Sequence, residues 1–204
     1  MDYLSEFLLL ATALQMALIS PGPDFMITIK QTINQGKKYA YYSSLGIGFG
    51  IVIHLAYTFL GFGLIIKVFP DFLNFVRILG AIYPIYLGIG SFRSNSSKIK
   101  IKSEKDKQYS FKKSFILGFL CNLLNPKATL FFLSIFTTIV SINTPFYIQG
   151  LYGLYCVLAN ILWYILIANI LSQKKNMELF NKYRNIIDKF IGTVLILLGL
   201  KIIF

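Results

Sequence analysis

Two stretches of this 204-residue chain combine a helix-breaking proline with one charge inside an otherwise apolar run. The first reads Ser20-Pro21-Gly22-Pro23-Asp24, the second Asn122-Leu123-Leu124-Asn125-Pro126-Lys127-Ala128. Pro21 and Pro23 have no N–H, so the carbonyls of Ala17 and Ile19 lose their helical donors, and Pro126 does the same to Asn122. Gly22 bares the backbone between the two prolines. Where a helix restarts after such a break, its first N–H groups and a partial positive charge point into the gap. One break carries a carboxylate and the other an ammonium. A small zwitterion would find complements here: restarted helix N-termini for its carboxylate, and Asp24 or the freed carbonyls for its ammonium. Nothing in this arrangement calls for a cofactor.

Each of these residues also has a plainer use. Asp24 is the one acidic residue well inside a predicted span, where a charge costs roughly 2.5–3.5 kcal/mol to insert. Its roles are to bind the substrate ammonium, the coupling proton, or both in turn; alternatively it caps the restarting helix. Lys127 pairs with Asp24, attracts the substrate carboxylate, or snorkels to a polar layer. Asn122 and Asn125, three apart and nearly on one face, replace hydrogen bonds lost at Pro126 or read the substrate, the structural use being preferred. Gly46, Gly50 and His54 share a helical face. The small residues allow close helix approach, within a subunit or between two copies in a homodimer. His54, the single histidine, is read as hydrogen-bonded packing ahead of a proton relay. Asn160, Trp163 and Tyr164 are assigned to helix packing ahead of pathway lining.

The elements that must position these residues are membrane helices. Hydrophobic residues make up 56% of the chain and charged ones 14%, with mean hydropathy +0.66. Soluble domains carry roughly a quarter charged residues, so this is an integral membrane protein. The net charge of +12 lies in loops without aromatic interleaving, which signals topology and not nucleic-acid binding. Cys121 and Cys156 lie in apolar runs and match no metal-ligand spacing. The N-terminus lacks the basic residues of a secretory signal, so the first apolar run is expected to be retained.

Six spans are predicted, near residues 7–29, 43–66, 72–92, 114–140, 146–171 and 187–204, each close to the roughly 20 residues that cross the hydrocarbon layer. Sixteen of the twenty Lys and Arg fall in the first, third and fifth connections. The positive-inside rule puts those loops in the cytoplasm and both termini outside. Pro21 and Pro126 are 105 positions apart, Gly46 and Gly150 are 104, Gly80 and Gly192 are 112, and Gly88 and Gly199 are 111. Landmarks in one order at nearly constant offset imply a three-span unit used twice. An odd span count inverts the second copy, and paired broken segments then mark a transporter's binding site at the repeat interface. The chain thus reads as one all-α unit, 1–204. Repeat one covers about 1–93, a polar lysine-rich cytoplasmic linker about 94–112, and repeat two about 113–204.

The two motifs, with Gln35-Gly36-Lys37-Lys38, Leu45-Gly46-Ile47-Gly48-Phe49-Gly50 through His54, Gly80-Ala81-Ile82-Tyr83 through Gly88, and Gly118, resemble the LysE/RhtB family of bacterial amino-acid exporters over essentially the whole chain. Pro84 and Thr137-Thr138 depart from that family's usual pattern. The resemblance implies an amino-acid exporter of the bacterial cytoplasmic membrane, driven by the proton gradient. Export of a metal or other small cation is the alternative. It would require several carboxylates, thiols or imidazoles to converge, and the spans offer one Asp and one His. No nucleophile–base arrangement marks an enzyme.

Overall fold

The computed structural model describes residues 2–20, 22–68, 110–141 and 143–203, together with six positions between 82 and 92. The described residues form helices and turns. They comprise α1 (Tyr3–Ile19), α2 (Pro23–Asn34), α3 (Lys37–Val68), α4 (Phe111–Leu123), α5 (Pro126–Thr138), α6 (Phe146–Leu171) and α7 (Lys174–Ile203).

Local chemistry sets most boundaries. Asp2 caps α1 by accepting the Ser5 N–H at 2.8 Å. Gly22 precedes α2, which opens with Pro23 at its first position, where the missing N–H removes no helical bond. Gly36, at φ +95°, provides the left-handed turn that joins α2 to α3. Ser110 caps α4 through the Lys113 N–H at 3.1 Å. Asn125 Oδ1 caps α5 through the Lys127 N–H at 3.0 Å, with Pro126 again at the first position.

Two single helices, Lys37–Phe59 and Phe146–Leu171, are long and apolar enough to cross a membrane. They correspond to the second and fifth predicted spans. The first and fourth are helix pairs bent by 52° at the α1–α2 break and by 58° at the α4–α5 break, the places the prolines mark. Most of the third predicted span, including Arg77, Gly80, Pro84 and Gly88, and nearly all of the linker lie outside the described residues. One expectation is corrected. The fifth connection is helical, and α7 runs unbroken from Lys174 into the sixth apolar run.

The side chains are distributed inside out relative to a water-soluble bundle. On α6, Leu151, Leu154, Leu158, Leu162 and Leu166 face outward. The opposite stripe of Tyr152, Cys156, Asn160, Tyr164 and Ala168 is buried. The spacing of three or four residues in the outward row and four in the buried row is that of opposite helix faces. Leucines turned outward suit hydrocarbon, and polar groups turned inward find partners. The core joins Leu10, Leu14 and Leu18 of α1 to Ile47, Ile51 and Leu55 of α3 and to Phe132, Ile135 and Phe136 of α5.

Helix α3 lies against α4 at backbone contact. A Cβ on Gly46 would run into the Phe115 carbonyl oxygen, and one on Gly118 into that of Ser43. A Cβ on Gly50 would meet Asn122 Oδ1 at 2.5 Å. The Gly46–Gly50 face is therefore filled within the chain, which removes the basis on which it suggested a homodimer. The repeat landmarks are mixed. The two breaks match in form, but Gly46 is enclosed while Gly150 has open space around it.

Candidate functional site

The two breaks meet. From the second, Lys127 Nζ donates to the Ser20 carbonyl at 2.9 Å and the Ala17 carbonyl at 3.1 Å, so it caps the end of α1. From the first, Asp24 Oδ2 accepts Asn122 Nδ2 at 2.9 Å and Asn125 Nδ2 at 3.1 Å. Each break thus supplies the partner that the other lacks. Asp24 sits at the second position of α2 and is buried. Its carboxylate goes to the two asparagines, and no side chain caps α2. The capping alternative for Asp24 is overturned, because the long-range amides outcompete the local N–H groups.

Two of the three freed carbonyls, those of Ala17 and Asn122, also find owners. Ala17 is taken by Lys127, as above. The Asn122 carbonyl accepts the Asn125 N–H at 2.9 Å and lies 3.0 Å from His54 Nε2. A carbonyl oxygen only accepts, so Nε2 carries hydrogen. In the neutral ring Nδ1 then accepts from the Tyr57 hydroxyl at 2.5 Å. His54 is buried and satisfies the backbone that Pro126 left open. These carbonyls were expected to be available to an ammonium, but the protein's own donors occupy them.

Between the breaks lies a cavity of about 40 Å³, room for a few water molecules. Asp24, Asn122, Asn125, Lys127 and Gly22 line it, with apolar walls that include Leu14, Leu18, Phe131 and Phe132. Five of the expected binding residues are therefore brought together. Pro23 is exposed at the start of α2, Pro126 opens α5, and Pro21 lies outside the described residues. Asn160 and Tyr164, assigned above to packing, also line the cavity, whereas Trp163 does not. Their signal in the sequence was two polar side chains four apart on one face of an apolar helix. Sequence reasoning did not pick out Glu6. It is fully buried, and both its carboxylate oxygens accept from Thr144 Oγ1, at 2.8 and 3.0 Å, while Oε1 also takes the Ser141 N–H at 3.1 Å. This ties the start of α1 to the connection between α5 and α6.

A family description, LysE type translocator, matches residues 15–204. The chain belongs to the LysE type translocator family. Among its relatives is a Bacillus subtilis protein named uncharacterized membrane protein YrhP, 30% identical over 196 residues, 91% of this chain and 92% of the relative. The threonine efflux protein of Escherichia coli K12 is 26% identical over 200 residues, 97% of each chain. That of Salmonella typhi is 27% identical over 191 residues, 92% of each. No solved structure matches. This translocator is a membrane protein, and the charged, proline-broken segments that carried the resemblance are the ones that meet at its cavity.

Proposed function

We propose that this protein exports amino acids or close derivatives across the bacterial cytoplasmic membrane, coupled to inward proton movement. The observation that carries the reading is one small cavity lined by Asp24, held by two amides, and by Lys127, held by two carbonyls. A zwitterion has both charges, and a site with both counter-charges in apolar walls avoids leaving either unpaired in low dielectric. The threonine efflux relatives support the amino-acid class. Asp24 takes the substrate ammonium in one half of the cycle and the proton in the other. Lys127 already gives two of its three N–H bonds to carbonyls, and the third is available to the substrate carboxylate together with the N-terminus of α5.

The architecture proposed around it is one transport unit of two inverted three-span repeats, with both termini outside. The matched bends of 52° and 58° support this, as does the lysine-rich character of the odd-numbered connections. In this reading His54 holds the second break closed and relays nothing. Export of a small cation would require a cluster of ligating side chains, and among the described residues no three His, Cys, Asp or Glu gather. No step in this scheme makes or breaks a covalent bond of the substrate, so the protein is not an enzyme.

The test is to express the protein in cells loaded with amino acids and follow the intracellular pools. One or a few amino acids should fall, and expression of the Asp24→Ala variant should leave them level. Unchanged pools, or equal depletion by that variant, would overturn the reading.

A further inference from the structure

Buried polar oxygens without a hydrogen-bond donor are rare and costly, so each asks for an explanation. Among the described residues four buried side-chain polar atoms have no partner. Three are acceptors on residues that line the cavity: Asp24 Oδ1, Asn122 Oδ1 and Asn160 Oδ1. The fourth is a donor, Trp163 Nε1, whose residue does not line it. The orientation of Asn122 is forced, because its Nδ2 meets a carboxylate oxygen that can only accept. The other titratable groups around Asp24 are Lys127, the weakly donating Cys121 thiol and the Tyr164 phenol. Lys127 turns two of its donors toward the end of α1.

We propose that this side of the cavity is a socket for a primary ammonium, whose three N–H bonds go to Asp24 Oδ1, Asn122 Oδ1 and Asn160 Oδ1. Asn160 on α6 then determines specificity beside the two broken spans. The inference rests on the amino-acid reading above and adds which nitrogen the site accepts. Three acceptors match the three hydrogens of R–NH₃⁺. A bare alkali cation would want a fuller shell of oxygens than three. A quaternary nitrogen keeps the charge but has no hydrogen to give, so a socket built on hydrogen bonds rejects it while a merely anionic pocket does not.

The experiment uses the purified full chain in liposomes. Counterflow with the twenty amino acids identifies one that is transported. Its N-methyl, N,N-dimethyl and N,N,N-trimethyl derivatives then compete against it, with wild type and with the Asn160→Leu and Asn160→Asp variants. We expect wild-type affinity to fall roughly tenfold for each hydrogen replaced, with the trimethyl form weaker by at least about a hundredfold. Asn160→Leu should weaken the parent amine about tenfold and flatten the series, while Asn160→Asp, which keeps an acceptor in place, preserves the ranking. A role in packing alone would leave the methyl series unchanged. A trimethyl derivative that competes as well as the parent, dependence on sodium in place of the amine hydrogens, or an unaltered series in Asn160→Leu overturns the socket but leaves amino-acid export standing. If no amino acid is transported, both readings fall.

Discussion

Lys127 holds two carbonyls 107 and 110 positions earlier in the chain, and this is the contact by which one broken span closes the other. Removing the ammonium leaves both oxygens without that donor. Lys127→Met, of similar length, should therefore destabilise the folded protein by about 3–6 kcal/mol, counting two hydrogen bonds to a charged group. Thermal unfolding in detergent would read the loss, and Lys127→Arg should recover part of it. Asp24→Asn keeps an oxygen for the two asparagine amides but cannot take up or release a proton. If Asp24 is the coupling group, wild-type efflux rises as the outer face is acidified, and efflux by this variant becomes slow and insensitive to pH. An unchanged pH profile would remove the coupling role. For His54 the prediction is structural. His54→Gln, which can still donate to the Asn122 carbonyl, should retain coupling, whereas His54→Leu should lose about 1–3 kcal/mol of stability by leaving that buried oxygen with one donor fewer. Abolished coupling in His54→Gln with stability intact would reinstate the relay.

Among the elements, the α3–α4 pair is the tightest. At Gly46 and Gly118 the opposing atoms are backbone, which cannot rotate away as a side chain can. Gly118→Ala should force the helices apart at a cost of about 1–3 kcal/mol or more, seen as lower folded yield and earlier unfolding. Gly150→Ala is the control in α6. No atom lies within 4 Å of the added methyl, so the change should be neutral or stabilising by up to about 1 kcal/mol. Two equal effects would mean that the contact between α3 and α4 is not what these glycines serve. The same pair shows what a sequence can reveal of the fold. The helix breaks were legible because proline acts on its own chain, through an N–H it lacks and a carbonyl four residues back. The lengths of the second and fifth spans were legible because hydrocarbon thickness imposes them. The partner of each freed carbonyl was not, since Lys127 and His54 reach them through tertiary packing. Glu6 escaped notice because at the edge of a span it looks like an ordinary first-turn acid. Asn160 was noticed but assigned to packing, because α6 is apolar on nearly every face, and only the neighbouring helices decide which stripe turns toward the cavity.

For the whole molecule the open question is direction, and α7 sharpens it. Its 30 residues make a helix about 45 Å long at 1.5 Å per residue, against a hydrocarbon layer of about 30 Å. The helix cannot be immersed throughout. In the proposed six-span arrangement its apolar end, Phe190–Ile203, supplies about 21 Å of the layer's depth, and the turns before it, where Lys175, Lys182 and Lys189 are exposed, complete the crossing and reach the headgroup region. A continuous helix therefore carries the basic residues without a separate loop, and in the proposed topology they act as a positive-inside signal. The prediction is a set of accessibilities. With Cys121 and Cys156 changed to serine, a single cysteine at Lys105 or Lys182 should react with an impermeant thiol reagent only in inside-out vesicles. One at Asp2 or Asn143 should react only in right-side-out cells. Two inverted repeats require Asn143, which follows the second broken span, to lie on the face opposite Gly36, which follows the first. A cysteine at Gln35, beside that turn, should then label from the cytoplasm. If Gln35 and Asn143 label from the same side, the two broken spans enter from the same face, and the inverted plan is wrong even though the breaks still meet at one cavity.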